Sequence, residues 1–251
     1  MGIVDIKVWG DYACFTRPEF KVERVSYQVM TPSAARGVLE AIYWKPQIRY
    51  RIQRIGILKM GTQWSLLRNE ISSRQSEGGK PIFIEDDRQQ RTSLVLKDVI
   101  YRIQAWIEPR NGETNIAKHL DCFRRRAEKG QYFHKPFLGC REFAADFEWL
   151  GDKSDNDELI KPSSDKDQLL GTMLYDTAYI RDVEHYKKHP EDHLEFLMHE
   201  NNEAFEVKGY AKRFFFNAEI KDGWLVEKGG TSLPGSLFTE LIQLEGANGA
   251  Y

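Results

Sequence analysis

ERVSYQVMTPSAARGVLEAIYWKP, residues Glu23 to Pro46, starts a helix, ends it, and leaves an aromatic and a cation at its exit. Thr31 suits an N-cap, because its hydroxyl can accept an amide proton that the first turn leaves unpaired. Pro32 fits the first helical position, where a missing N–H costs nothing. Val38, Leu39 and Ile42 recur at helical spacing and give the helix one apolar face, and Pro46 forbids continuation past Lys45. Tyr43, Trp44 and Lys45 therefore lie where side chains leave the core and can meet solvent or a ligand.

Outward from that helix the pattern turns to strands. Ile3 to Trp9 alternates, with Val4, Ile6 and Val8 on one face and Asp5 and Lys7 on the other. Gln47 to Leu58 alternates with a phase shift near Gly56 that reads as a bulge. Leu94 to Ile107 is a further strand, and Asn115 to Lys129 a second helix ending at Gly130, with Ile116, Leu120, Phe123 and Ala127 inward. Arg141 to Leu150 reads as a last strand. The order strand-helix-strand-strand-helix-strand predicts an α+β chain whose residues 1–150 form a ferredoxin-like (RRM-like) domain. Residues 151–167, polar and acidic, read as a linker. Residues 168–251 read as a small antiparallel β-sheet domain with a hairpin at Asp222-Gly223. Gln75 to Arg91 is expected to be a long loop, and the tail after Leu241 to fray.

Composition narrows the function. No apolar run approaches the roughly 18 residues that span a bilayer, and no signal peptide is visible. Cys14, Cys122 and Cys140 are too few and scattered for a disulfide framework, which points to a reducing, cytoplasmic setting. The net charge of −2 conceals an asymmetry: residues 1–145 carry 25 Lys and Arg against 16 Asp and Glu, and residues 146–251 carry 11 against 22. A basic first part suits a polyanion, although charge that is merely solvated would look the same.

Few residues could carry chemistry. Lys118 and His119 open the second helix; histidine can move a proton near neutrality, lysine can stabilise charge on a phosphate, and a helix N-terminus favours anions. Adjacent helical positions diverge by about 100°, so the two cannot share one face. Arg124, Arg125, Arg126, Lys129, Lys135 and Arg141 form a basic segment interleaved with Tyr132, Phe133 and Phe137, a composition suited to single-stranded or hairpin RNA; a solvated helix face explains the arginines equally well. His185, His189 and His193 recur every four residues, but Pro190 breaks the helix that a metal site would need. The cysteines with His134 have no zinc spacing, and Asp155-Asn156-Asp157 lacks the glycine of a calcium loop. No metal or other cofactor is expected.

GDYACFTRPEFKVERVSYQVMTPSAARGVLEAIYWKP, RNEISSRQ, AKHLDCFRRRAEKGQYFHKPFLGCREF and LGTMLYD closely resemble the d branch of the CRISPR-associated Cas-five family of subtype I-C systems, over most of the chain. The resemblance implies a ferredoxin-like domain of the RAMP superfamily followed by a small antiparallel sheet. It also implies an endoribonuclease that cuts the repeat hairpin of precursor crRNA and stays with the mature crRNA in an interference (Cascade-like) complex beside Cas-seven and Cas-eight subunits. The family's YWKP tyrosine matches Tyr43, and its lysine-histidine pair matches Lys118 and His119. Lys45, His134 and the basic residues above then become RNA contacts. A non-catalytic crRNA-holding subunit is the alternative, as is an additional metal-dependent nuclease acting on DNA.

Overall fold

The helix read between Thr31 and Pro46 is present in the structure, a computed structural model that describes residues 3–20, 22–73, 81–110, 112–151, 157–200 and 203–247. In chain order the strands are β1 (Ile3–Ala13), β2 (Arg24–Val25), β3 (Ile48–Lys59), β4 (Thr62–Ile71), β5 (Arg88–Pro109), β6 (Asp146–Trp149), β7 (Gln168–Arg181), β8 (Leu194–Glu200), β9 (Glu203–Lys221) and β10 (Trp224–Glu227). The α-helices are α1 (Pro32–Ile42), α2 (Ile84–Asp87), α3 (Ile116–Glu128), α4 (Val183–Lys188) and α5 (Gly235–Ala247). This is an α+β fold on one sheet that runs β6-β1-β5-β3-β10-β9-β7, with β2 and β4 on β5 and β8 on β9. All pairings are antiparallel except that of β2 with β5.

The caps behave as local chemistry dictates. Thr31 Oγ1 accepts from Ala34 N at 3.2 Å, and Asn115 Oδ1 accepts from Lys118 N at 3.1 Å. Gly130 follows α3 with φ +62, the left-handed conformation that ends a helix. Val4, Ile6 and Val8 meet Tyr101, Ile103 and Ala105 on one face of the sheet, and the apolar faces of α1 (Leu39, Ile42) and α3 (Phe123) close over them. A guanidinium fork seats α1: Arg36 donates from Nε and Nη2 to Asp176 of β7 at 2.8 and 2.9 Å, and from Nη1 to Glu40 at 2.9 Å. Burial, the largest single influence, would raise the Asp176 carboxyl, but the charge and hydrogen bonds of Arg36, with Arg49 and the Thr177 amide, together hold it below its ordinary range.

On the opposite face, Asp5, Arg102 and Gln104 are buried in a polar layer covered by Ile160 and Trp224. The Asp222-Gly223 turn, both residues at positive φ, joins β9 to β10 as read from the sequence, and Asp167 accepts from both of its amides at 2.9 and 2.8 Å. Register breaks between Ile52/Arg54 and Ile57/Lys59 flank the phase shift expected near Gly56.

One strand was not expected, and three expectations are corrected. Thr62–Ile71 forms β4, which pairs with the first half of β5 from Thr62↔Lys97 to Ile71↔Arg88. Its apolar side chains are split between the faces, and Trp64, Leu67 and Ile71 stay exposed, so no buried stripe announces it. The expected loop over Gln75–Arg91 is shortened by α2 and by β5, which starts at Arg88; residues 75–80 lie outside the described residues, as do 152–156 of the 151–167 linker and the Asp155-Asn156 pair. The last strand of the first part covers only Asp146–Trp149, because residues before it turn through Phe137↔Ala144. Of the tail after Leu241, residues up to Ala247 are helical in α5 rather than frayed, anchored by the buried Leu241 and by a buried Glu245–Arg49 ion pair, and residues 248–251 lie outside the described residues.

Candidate active site

The C-terminal end of α1 meets the first turns of α3, and this junction brings together Tyr43 and His119, 76 residues apart. Tyr43 is the C-cap of α1: its backbone is extended (φ −150) and its N–H bonds Leu39 O at 3.0 Å, so the chain leaves the helix with the ring turned toward α3. Two neighbours fix it through three contacts. Tyr50 of β3 donates its hydroxyl to Tyr43 O at 2.6 Å, Arg126 donates to Ile42 O at 3.0 Å, and the Arg126 guanidinium lies 5.3 Å from the Tyr43 ring centre. Tyr43 and His119 are both nearly covered, at 4% and 3% exposure.

Their contact is a 2.9 Å hydrogen bond between Tyr43 Oη and His119 Nδ1. The other imidazole nitrogen, Nε2, is 3.0 Å from Glu113 Oε2. Glu113 lies on the turn between β5 and α3, where Gly112 takes φ +77 and Glu113 N bonds Arg110 O at 2.9 Å. Its second oxygen accepts from Thr114 N at 2.8 Å and Asn115 N at 2.7 Å. The His119 contact, followed by these amide bonds, pulls the Glu113 carboxyl down to about 2. Burial, followed by contact with the Cys122 thiol, raises the Tyr43 phenol above its ordinary range, and Arg126 only partly offsets this.

Lys118 points away from His119 into solvent, as the 100° step requires. Lys45 is exposed beyond the C-cap. Among the arginines, Arg125 is exposed, Arg124 bonds Glu128 at 2.7 Å, and Arg126 is engaged with α1 and Tyr43. Lys129 and Arg141 are exposed, and Lys135 pairs with Asp146 at 2.6 Å. The segment after α3 is tied back to α1, with Phe133 N and His134 N both bonding Ala41 O, at 2.8 and 3.1 Å. That tether holds Phe133 73% exposed beside the Tyr43 end of the helix, while His134 stacks on Phe137. A shallow cavity of about 460 Å³ opens among Arg126, Gly130, Gln131 and Tyr132.

The His185, His189 and His193 set does not converge. His185 faces Asp192 at 3.3 Å, His189 faces Glu191 at 3.3 Å, and His193 stacks on Tyr186. Among the described residues no group of three or more His, Cys, Asp or Glu is arranged to hold a metal ion, and the three thiols are free. Sequence reasoning missed Glu113 and Tyr50. An acidic residue before a helix reads as an ordinary complement to the dipole, and a tyrosine in an alternating strand reads as core.

A buried tyrosine–histidine pair at a helix junction, rimmed by exposed cations and aromatics on an antiparallel α+β frame, is the arrangement of a protein that handles an anionic polymer. Residues 3–225 match the family model of CRISPR-associated proteins described as Cas5, d type. The chain belongs to this Cas5d family. It is 48% identical over 98% of its length, and 97% of the relative's, to a CRISPR pre-crRNA endoribonuclease Cas5d of Thermus thermophilus. It is 45% identical to the protein of the same name from Mannheimia succiniciproducens, over 70% of this chain and 85% of that one. A crystal structure of a CRISPR-associated protein has the same fold, with TM-score 0.57 at 19% identity over 90% of this chain and 91% of that one. Among the described residues no helix is long and apolar enough to cross a membrane.

Proposed function

We propose that this chain is a CRISPR precursor-crRNA endoribonuclease that cuts the repeat hairpin by attack of the RNA's own 2′-hydroxyl, leaving a 2′,3′-cyclic phosphate and a 5′-hydroxyl. It then remains on the mature crRNA as a subunit of a cytoplasmic subtype I-C interference complex with Cas-seven and Cas-eight partners. The observation that carries this reading is the 2.9 Å Tyr43–His119 contact, which joins the two segments that match the family's catalytic motifs. The kinship with proteins named pre-crRNA endoribonucleases supports it. The strand order β6-β1-β5-β3 with α1 and α3 on one face supports a ferredoxin-like, RAMP-type frame over residues 1–150. Residues 168–251 are then a second folding unit, paired to the first through Trp224↔Gly56 and Leu225↔Ile55 and tied to it by the Arg36–Asp176 and Arg49–Glu245 ion pairs.

In this reaction Tyr43 and His119 take the nucleophile's proton, and Lys118, on the solvent side, stabilises the negative charge that builds on the phosphate. No metal ion is required in that scheme. Incubation with the cognate repeat RNA in excess EDTA tests it: the wild type is expected to cut, with cyclic phosphate ends, and His119→Ala to lose at least about 100-fold in rate. Tight binding without cutting by the wild type would instead define a non-catalytic crRNA-holding subunit.

The basic segment is expected to divide in its behaviour. Arg125→Ala removes an exposed charge, so RNA affinity should fall and the slope of log affinity against log salt should flatten by about 0.7 for one lost single-strand phosphate contact. Arg126→Ala also removes the donor to Ile42 O and the cation over Tyr43, so it should slow cleavage and cost about 1 kcal/mol of stability. Binding isotherms over a salt series with thermal melts separate the two; identical behaviour would place both side chains on RNA.

A further inference from the structure

We propose that Glu113 is a positioning residue for His119, fixing the imidazole so that Nδ1 is the proton acceptor that faces Tyr43. This inference rests on the reading of function given above and deepens it. His119 is buried with both ring nitrogens engaged, Nε2 at 3.0 Å from a carboxylate oxygen and Nδ1 at 2.9 Å from a phenol. A carboxylate can only accept, so Nε2 carries the proton, and in the neutral ring Nδ1 then presents its lone pair to Tyr43 Oη–H. The donor order is therefore Tyr43 to His119 to Glu113.

Glu113 is itself rigidly held. The amides of Thr114 and Asn115 clamp its other oxygen, and Gly112 provides the left-handed turn that swings the carboxylate over the imidazole. It stays ionised across any pH at which RNA is handled, being held down to about 2 by the His119 contact and those amides. The remaining groups around the pair, the Cys122 thiol and the Arg126 guanidinium, face Tyr43.

The proton path follows from this order. As the 2′-oxygen forms its bond to phosphorus, the 2′-hydroxyl proton passes to Tyr43 Oη and the phenolic proton passes to His119 Nδ1. The P–O5′ bond breaks, and the departing oxygen takes a proton from solvent. The imidazolium that results sits against the Glu113 carboxylate, which stabilises it, and Tyr43 ends as a neutral phenol. A raised phenol is a poor base but a sound conduit, which removes the difficulty of assigning Tyr43 as the base itself. The division of labour is that of a carboxylate behind a histidine base, with a tyrosine between the histidine and the nucleophile.

The test compares wild type with Glu113→Ala, Glu113→Gln and His119→Ala, in single-turnover cleavage and in equilibrium RNA binding. Nitrogen-15 spectra of histidine-labelled full-length protein without RNA accompany these, with the His119 signals assigned by their loss in His119→Ala. Expected is a slowly exchanging Nε2–H and an unprotonated Nδ1 in the wild type, with the Nε2–H lost to solvent exchange in Glu113→Ala. Cleavage should fall by about 100-fold in Glu113→Ala and by about 10-fold in Glu113→Gln, which keeps an acceptor oxygen but not the charge, with affinity unchanged within twofold. An Nδ1-protonated wild-type ring would overturn the proposal. So would a Glu113→Ala variant that binds RNA more tightly and cuts as fast, since the carboxylate would then only be occupying the place of a phosphate. If His119→Ala itself cut at the wild-type rate, the reading of function would fail, and the tautomer spectra would still decide whether Glu113 orients the ring.

Discussion

A repeat RNA with a single 2′-deoxy sugar at the scissile position is expected to bind with unchanged affinity and to remain uncut. The nucleophile in the proposed reaction belongs to the substrate and sits on the carbon adjacent to the one that bears the scissile phosphate's oxygen. Positioned intramolecular groups have effective concentrations on the order of 10⁵ M or more, so deleting this one should lower the rate by a comparable factor. Affinity should survive, because it is set by phosphate contacts that the deletion leaves in place. The site explains why nothing on the protein would substitute for the missing hydroxyl. His119 is enclosed by Tyr43 and Glu113 and reaches substrate only through the phenol, and the phenol keeps its proton at neutral pH because burial raises it. Cutting of the deoxy substrate at the normal position and rate would mean that water attacks the phosphate, and would remove the basis for the Tyr43–His119 proton path.

How far the sequence discloses this molecule depends on whether the deciding interactions are local. The α1 helix was fully legible, since Thr31, Pro32 and Pro46 act through the backbone within a few residues. Tyr43, Lys118 and His119 drew attention by residue type and helix position and by the family motifs they match; the alternation of His119 with exposed neighbours would not by itself have marked it as buried. Glu113 could not be found in that way, since its role depends on a turn set by Gly112 and on a partner six residues ahead across the start of a helix. β4 escaped because its apolar residues are split between two exposed faces. α5 escaped because its burial depends on Arg49, almost two hundred residues earlier. The burial of Arg102 was illegible for a related reason: Ile160 of the 151–167 segment and Trp224 of β10 fold over the sheet face opposite the helices and make it an interior charge.

That interior charge carries the largest expected effect on stability. Arg102 is 1% exposed and donates from Nε to Asp5 Oδ1 at 2.9 Å, with Nη2 on the other carboxylate oxygen, while Gln104 adds a third donor to Asp5 at 2.8 Å. Asp5 and Arg102 lie on neighbouring central strands, β1 and β5, so the pair is enclosed from the side by the sheet and from above by Ile160 and Trp224. Asp5→Ala removes the two-oxygen carboxylate on which the buried Arg102 fork closes, and loss of one partner from such a pair typically costs about 3 to 5 kcal/mol. For a chain of this size that corresponds to a fall of roughly 6 to 20 °C in Tm. Replacing both partners tests whether the cost lies in the buried charge or in the lost contact: Asp5→Leu with Arg102→Met exchanges the pair for apolar volume and should recover most of the stability lost in Asp5→Ala. Urea and thermal unfolding of Asp5→Leu, Arg102→Met and the double variant close the cycle. If the double variant were less stable than either single one, the hydrogen-bond geometry with Gln104 would be the stabilising element, and the buried charge would not be the liability argued for here.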